Sequence, residues 1–268
     1  MKLGFIGCGN MATAIMGGII KKGLVKKEDI TGADTSAAAR QKVSEAYGIN
    51  TVEDNREVIK ASDVVFFAVK PQFLHDMAQG IKDVVREDQV IISIAAGRSL
   101  KLLQEEFPGK NLKIVRLMPN TPALVGESMT AMCANNNVTD EEKQKAMELI
   151  SSFGRAVELP ERLFDTVTAV SGSSPAYVFM FIEAMADAAV LGGMPRNMAY
   201  EFAAQSVLGS AKMVLDTGKH PGELKDMVTS PAGTTIEAVR VLEEGAFRST
   251  VIEAVEACRE KSEEMGKK

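Results

Sequence analysis

Apolar residues follow two different rhythms along this chain, and the change of rhythm divides it. Up to about residue 160, short runs of β-branched and aromatic residues alternate with stretches at helical spacing. The runs fall at 2–6, 29–33, 49–52, 63–69, 89–94 and 113–118, with two more at 129–133 and 156–159. Asp63-Val-Val-Phe-Phe-Ala-Val69 is apolar without alternation, the pattern of a strand covered on both faces. Between the runs the spacing predicts helices over 13–22, 37–47, 72–85 and 139–153, and shorter ones opening at Asn55 and Ser99. Thr139 and Glu142 supply a capping box for the helix at 139–153. Strands alternating with helices predict an α/β fold with a doubly wound, mainly parallel sheet. Its strand ends, at Gly7, Asp34, Lys70, Ala95 and Met118, then share the edge where ligands bind.

Past Glu161 no strand-like run appears. The spacing predicts helices over 176–191, 196–217, 221–228, 234–244 and 247–265, with Pro175, Pro195 and Pro221 at first-turn positions. The expected organisation is a Rossmann-type dinucleotide-binding domain over 1–160 and an all-helical domain over 161–268. The helix at 176–191 is apolar nearly all round apart from Glu183 and Asp187, four residues apart on one face. Such a helix is covered on every side. A subunit interface and the centre of a monomeric bundle both satisfy that requirement.

Composition narrows the partners. Apolar residues make up 46% of the 268, enough for a sizeable core, and the net charge of -5 leaves no basic stripe for nucleic acid. The densest basic cluster, Lys21, Lys22, Lys26 and Lys27, runs straight into Glu28 and Asp29 and reads as a solvated helix end. No apolar run approaches the roughly 20 residues of a membrane span. The chain opens as a strand and not as a leader peptide, and Cys8, Cys133 and Cys258 are odd in number and far apart. Both features suit a reducing, cytoplasmic setting. His75 and His220 lack partners at ligand spacing, so no metal site is expected.

Two stretches carry chemistry. Gly7-Cys8-Gly9-Asn10-Met11-Ala12 directly follows the first strand and opens a helix, the context a dinucleotide fingerprint needs. Gly7 permits the tight turn, Gly9 lets a pyrophosphate approach, and Ala12 lets helix and strand pack closely. At the end of the second strand, Asp34 favours the free ribose hydroxyls of NAD, whereas Thr35 and Ser36 can donate to the 2′-phosphate of NADP. These two signals conflict. The other stretch is Thr229-Ser230-Pro231-Ala232-Gly233-Thr234-Thr235, which leads into the helix at 234–244. Its N–H groups and hydroxyls make a helix cap or a cradle for a small anion. Lys70 can act as a base or merely line the cofactor with its backbone. Lys212 stands nearest to the helical lysine of β-hydroxyacid dehydrogenases, without that motif's glycines. Reduction of a preformed C=N bond needs no such base.

Five segments together resemble the pyrroline-5-carboxylate reductase family, nearly end to end. They are Phe5–Ala12, Ala68-Val69-Lys70-Pro71-Gln72, Met118-Pro119-Asn120-Thr121-Pro122-Ala123, Ser171-Gly-Ser-Ser-Pro-Ala-Tyr177, and His220–Asp226 with Ser230–Thr235. The resemblance implies reduction of 1-pyrroline-5-carboxylate to L-proline with NADPH or NADH. It also implies self-association through C-terminal helices into a dimer, and further into a decamer. Ser230, Gly233 and Thr234 would then hold the substrate carboxylate at the helix N-terminus. Thr235 would bond the ring nitrogen as the catalytic residue, and Glu161 would lie beside the substrate. The cofactor candidates are Ile6, Gly7, Cys8, Gly9, Asn10, Met11, Asp34, Thr35, Ser36, Asn55, Ala68, Val69, Lys70, Pro71, Ala95, Ala96, Gly97 and Asn120. Ala232 stands where the family commonly has a second Gly, and the expectation is a negative φ there and a stiffer loop. Two other readings remain open: a β-hydroxyacid dehydrogenase, and a non-catalytic NAD(P)-sensing or assembly protein on the same fold.

Overall fold

The computed structural model describes residues 1–266. The chain forms two compact units, one of Met1–Ser173 with the segment from Cys258 onward, the other of Ser174–Ala257.

The first unit is built on an eight-stranded sheet. Its strands are β1 (Leu3–Ile6), β2 (Ile30–Ala33), β3 (Asn50–Val52), β4 (Val64–Phe67), β5 (Val90–Ser93), β6 (Lys113–Met118), β7 (Ser128–Ala134) and β8 (Gly154–Glu158). They lie in the order β3-β2-β1-β4-β5-β6-β7-β8. The first six are parallel; β7 runs antiparallel to β6, and β8 parallel to β7. The order 3-2-1-4-5-6 is that of a doubly wound dinucleotide-binding sheet, which reverses direction between β1 and β4. The intervening helices are α1 (Asn10–Lys21), α2 (Ala37–Tyr47), α3 (Asn55–Ala61), α4 (Leu74–Ile81), α5 (Leu100–Glu105) and α6 (Asp140–Ile150).

The unbroken apolar runs explain why the sheet is buried on both faces. On one face Phe5, Phe66, Ile92 and Val115 pack with Ile15, Met16 and Ile19 of α1. On the other, Ile6, Val65, Phe67 and Ile91 pack with Val58, Ile59, Met77 and Ile81. Phe5 and Phe66 stack across β1 and β4 with centroids 4.6 Å apart. The Thr139–Glu142 capping box forms at the start of α6.

After β8 the chain turns through a 3-10 segment (Glu161–Leu163), α7 (Phe164–Val167) and a π-helical turn (Thr168–Gly172). Sequence spacing left this stretch unassigned, because single turns rich in Thr and Val and ending in Gly172 carry no helical period. They lengthen the apolar helical stretch to Glu161–Leu191, which by length and composition suffices to cross a membrane. That corrects the expectation drawn from apolar runs alone.

The second unit holds α8 (Ser174–Leu191), α9 (Arg196–Thr217), α10 (Pro221–Met227), α11 (Thr234–Glu244) and the first half of α12 (Phe247–Gly266). Its own core is thin: Ala186, Ala199 and Ala203 bury a close approach of α8 and α9. Phe179, Met180, Leu191 and Phe202 stay 61–91% exposed. Covering side chains of this size contributes about 1.5–3 kcal/mol each, so a single copy leaves several such contributions unclaimed. A monomeric bundle centred on α8 is therefore not what the chain forms by itself. In dilute sedimentation the protein should run as a dimer or larger; a folded monomer at nanomolar concentration would contradict the exposed face.

Candidate active site

The carboxyl ends of β1 and β4 meet at the first glycine. Gly7 donates its N–H to Ala33 O at 2.7 Å, and Ala68 donates to Ile6 O at 2.8 Å. Gly7 has φ +99°, and a Cβ there would lie 2.6 Å from the carbonyl oxygen of Ala68. Only glycine fits, both for backbone conformation and for space. Gly9 is the N-cap of α1, and a Cβ on it would meet nothing within 4 Å. That open space, at an exposed helix start, is where a pyrophosphate can approach.

α1 also lacks a side-chain cap. α2, α3, α5 and α6 are capped by Ser36, Asp54, Ser99 and Thr139 respectively. The first N–H groups of α1, at Asn10 and Met11, thus remain available with the positive end of the helix dipole. Beside them opens a cavity of about 600 Å³. Of the cofactor candidates, Ile6, Gly9, Asp34, Thr35, Asn55, Ala68, Val69 and Lys70 line it. Phe73, Asp76 and Met77 line it too; they follow Lys70-Pro71 in the sequence, and their nearness to the loop was the available signal. Gly7, Cys8, Asn10, Met11, Ser36, Pro71, Ala95, Ala96, Gly97 and Asn120 lie outside that lining.

The Asp34 carboxylate, at the border of this cavity, is engaged by backbone N–H groups. Oδ2 accepts Cys8 N–H and Oδ1 accepts Ser36 N–H, both at 2.8 Å. The acid therefore ties the glycine-rich turn to the end of β2, and the Cys8 N–H is engaged by the protein itself. Arg40 donates to the Asp34 carbonyl at 2.5 Å and to Glu53 at 3.3 Å, placing a cation beside the β2 end that sequence spacing had passed over. The Ser36 hydroxyl accepts Ala39 N–H as the cap of α2. Burial, reinforced by the charge of Asp34, pushes the Cys8 thiol up to about 12, so it stays a protonated packing group.

At the ends of β5 and β6 the polar groups are buried. Ala95 N–H reaches Ser93 Oγ at 3.3 Å, and Arg98 N–H closes a turn onto Ala95 O around Gly97. The Asn120 side chain holds β6 to its surroundings: Oδ1 accepts Ser128 Oγ–H and Met129 N–H, and Nδ2 donates to Ser171 O at 2.9 Å. Glu161 Oε1 accepts Leu100 N–H at 2.7 Å and pairs with Arg116 at 2.9 Å. Arg116 is buried, with its guanidinium 4.5 Å from the Phe164 ring centroid. An arginine in the interior of the run 113–118, which otherwise is charged just at its first residue, Lys113, was the sequence signal for it.

The helical unit contributes the second candidate region. Ser230 O accepts Gly233 N–H at 3.1 Å, closing a turn with Pro231 and Ala232 at its centre. Pro at the second position and a positive φ at the third is the type II pattern. Ala232 takes φ +56°, contrary to the negative value expected from its Cβ. The turn needs a left-handed residue there, and closure of the turn outweighs the strain. Gly233 caps α11, and a Cβ on it would lie 2.5 Å from Ser230 Oγ. Thr234 and Thr235 are the first two residues of α11, and among the described residues no side chain caps this helix. Lys212 is exposed and paired with Asp216 on its own helix. His75 is exposed against Glu106, while His220 caps α10 through Nδ1, a role its sequence context did not signal. Among the described residues no three His, Cys, Asp or Glu side chains are grouped to hold a metal.

A doubly wound sheet with an open fingerprint turn, followed by a helical unit exposing an apolar face, is the build of a dinucleotide-binding protein with a surface for self-association. Comparison with known families makes the class specific. Residues 161–265 match the family model for pyrroline-5-carboxylate reductase dimerisation, and residues 2–97 match that for NADP oxidoreductase, coenzyme F420-dependent. The chain is 52% identical to pyrroline-5-carboxylate reductase of Escherichia coli K12, covering 99% of this chain and 98% of that one. It is 44% identical to that of Arabidopsis thaliana, over 98% and 95% of the two chains. A crystal structure of the Plasmodium falciparum pyrroline carboxylate reductase with NADP bound superposes with a TM-score of 0.90 at 36% identity, covering 99% and 98%. The chain belongs to the pyrroline-5-carboxylate reductase family.

Two substitutions separate binding from folding. Gly9→Val should fold normally and lose dinucleotide affinity by at least about a hundredfold in calorimetry. Gly7→Ala should instead destabilise the fold by about 2–3 kcal/mol in urea titrations. Unchanged dinucleotide affinity in the Gly9 variant would place the pyrophosphate elsewhere. In the helical unit, Ala232→Gly should raise stability by up to about 1 kcal/mol, since it removes left-handed strain, and Ala232→Val should lower it.

Proposed function

We propose that the chain reduces 1-pyrroline-5-carboxylate to L-proline with NADPH as the preferred reductant and NADH as the alternative. The observation that carries this reading is the pairing, in one member of this family, of two glycine-started helices without side-chain caps, α1 and α11. Each offers free N–H groups to an anion, a pyrophosphate at one and a small carboxylate at the other.

The dinucleotide fits the groups present: the Cβ-free approach at Gly9, the open N–H groups of α1, and the cavity bordered by Asp34, Thr35, Asn55 and Lys70. When bound, it supplies the hydride. Arg40 adds positive charge near the β2 end, which suits a 2′-phosphate. Asp34, with both oxygens already accepting backbone N–H groups, is less of a deterrent to that phosphate than an unengaged acid.

The protein's part in the chemistry lies in the Ser230–Thr235 loop. Ser230, Gly233 and Thr234 hold the carboxylate at the start of α11. Thr235 presents its hydroxyl to the ring nitrogen and orients the C=N bond. As hydride reaches the imine carbon, the nitrogen gains a proton or keeps the one it carried, and a secondary amine results. No deprotonation of a substrate hydroxyl is required, in keeping with Lys212 being tied to Asp216 and not forming a dehydrogenase base.

The exposed faces of α8 and α9 are the surfaces on which two copies join, with further assembly toward a decamer, in the cytoplasm. NAD(P)H oxidation on addition of pyrroline-5-carboxylate tests the activity, and its absence with pure, folded dimer would overturn it.

Thr235 gives the sharper test. Losing one hydrogen bond to a developing charge costs about 2–4 kcal/mol, roughly 30- to 1,000-fold in rate. Thr235→Ala should lose kcat within that range, Thr235→Ser much less, with NADPH affinity near wild type in both. Equal, small losses would reduce Thr235 to a residue of the helix start.

A further inference from the structure

Glu161 was expected beside the substrate, yet its carboxylate is committed to the sheet unit. Oε1 alone receives two hydrogen bonds, from Leu100 N–H at 2.7 Å and from Arg116 Nη1 at 2.9 Å. Arg116 pairs in register with Ser93, the last residue of β5. Ser93 Oγ in turn accepts Ala95 N–H. The turn over Ala95, Ala96 and Gly97 is therefore fastened at its near end through Ser93 and at its far end through Leu100. Arg116 lies alongside the first of these ties and bonds the acid that makes the second. The arrangement has a physical logic. A buried guanidinium requires a partner. The first N–H of a helix requires an acceptor. One carboxylate oxygen satisfies both and fixes their spacing.

We propose that Glu161 is a positioning residue for the reaction: through Leu100 and Arg116 it sets the Ala95–Gly97 turn against the nicotinamide half of the dinucleotide. In the strand order 3-2-1-4-5-6, β1–β3 form one mononucleotide half and β4–β6 the other, so the end of β5 borders the reacting half. The proposal rests on the reductase reading for the identity of the ligand. The hydrogen bonds of Glu161 do not depend on that identity. A shift of about 1 Å in a group that frames a hydride donor is enough to lower turnover by up to about a hundredfold.

Three variants separate positioning from direct ligand contact and from simple stability. Glu161→Gln keeps an oxygen that accepts both hydrogen bonds and removes the charge. Glu161→Ala removes both bonds. Leu100→Pro, compared with Leu100→Ala to account for the leucine side chain that packs against the core, removes the donated N–H at the first helical position, where proline is favoured, and leaves the Glu161–Arg116 pair in place. Ser99, with φ -70° and ψ 162°, already has the backbone that precedes a proline. Each is measured by NADPH fluorescence titration without imine, by kcat and KM, and by thermal melting.

Glu161→Ala and Leu100→Pro should each lower kcat by about tenfold or more, raise the NADPH Kd several-fold and leave KM for pyrroline-5-carboxylate within about threefold, while Glu161→Gln stays near wild type. Equal loss in the Gln and Ala variants would mean that the charge of Glu161, and not the spacing set by its two hydrogen bonds, carries the effect, and would overturn the proposal. Wild-type kcat and Kd in Leu100→Pro, or a lowered melting point alone in Glu161→Ala, would overturn it as well. Should Glu161→Ala fail to fold, Leu100→Pro against Glu161→Gln decides. A wild type that binds NADPH but does not turn over the imine counts against the reductase reading alone. The NADPH Kd of the three variants then still decides the role of Glu161.

Discussion

The turn after β1 passes so close to the end of β4 that residue 7 has no room for a side chain. The distance from a hypothetical Cβ to Ala68 O, 2.6 Å, is a collision and not a contact. This approach lets Gly7 donate to Ala33 and lets Ala68 donate to Ile6, so the ends of β1, β2 and β4 are joined at one point. Asp34 reinforces the junction by accepting Cys8 N–H. The next glycine, two residues on, faces empty space. A turn that is closed at Gly7 and open at Gly9 converts a parallel sheet into a place where a diphosphate can lie.

Among the described residues, side-chain caps are absent from α4 and α9 as well as from α1 and α11, but Phe73 and Pro195 stand at the N-cap of the first two, so what sets the other two apart is an uncapped start made by glycine. Where a Ser, Thr or Asp side chain satisfies the first N–H groups, as at α2, α3, α5 and α6, the helix start is complete in itself. At α1 and α11 glycine stands at the N-cap and the donors stay open. Open donors at a helix N-terminus favour an anion, because the backbone dipoles already point there and need no reorganisation. The Ser230–Gly233 turn keeps α11 in that condition even with Ala232 in a left-handed conformation that a Cβ disfavours. Tolerating that strain is consistent with a loop held to one shape by Pro231 and the closing hydrogen bond.

Beneath the ends of β5, β6 and β7 lies a set of buried polar groups: Ser93, Arg116, Asn120, Ser128 and Thr130. A sheet covered on both faces ordinarily excludes such groups. Here each finds a partner, Ser93 with Ala95 N–H, Arg116 with Glu161, Asn120 with Ser128, Met129 and Ser171, and Ser128 with Thr130. Directional bonds fix loops more narrowly than apolar contacts do, which is the property a reaction edge requires.

The sequence by itself determined the elements, because hydrophobic periodicity and glycine placement are local. The six parallel strands, the helices at Ala37–Tyr47, Arg196–Thr217 and Thr234–Glu244, and the fingerprint turn all follow from spacing within about twenty residues. The tertiary structure decided what depends on partners far apart in the chain. It tied the Asp34 carboxylate to the Cys8 N–H, brought Arg116 and Glu161 together across 45 residues, and held Asn120 to Ser171 across 51. It also placed Ala232 at a positive φ, in a turn closed between Ser230 and Gly233 of the type II form and not the type I form that Pro231 equally allows. A residue's type limits which bonds it can make. Which of them it makes depends on the neighbour that the fold delivers.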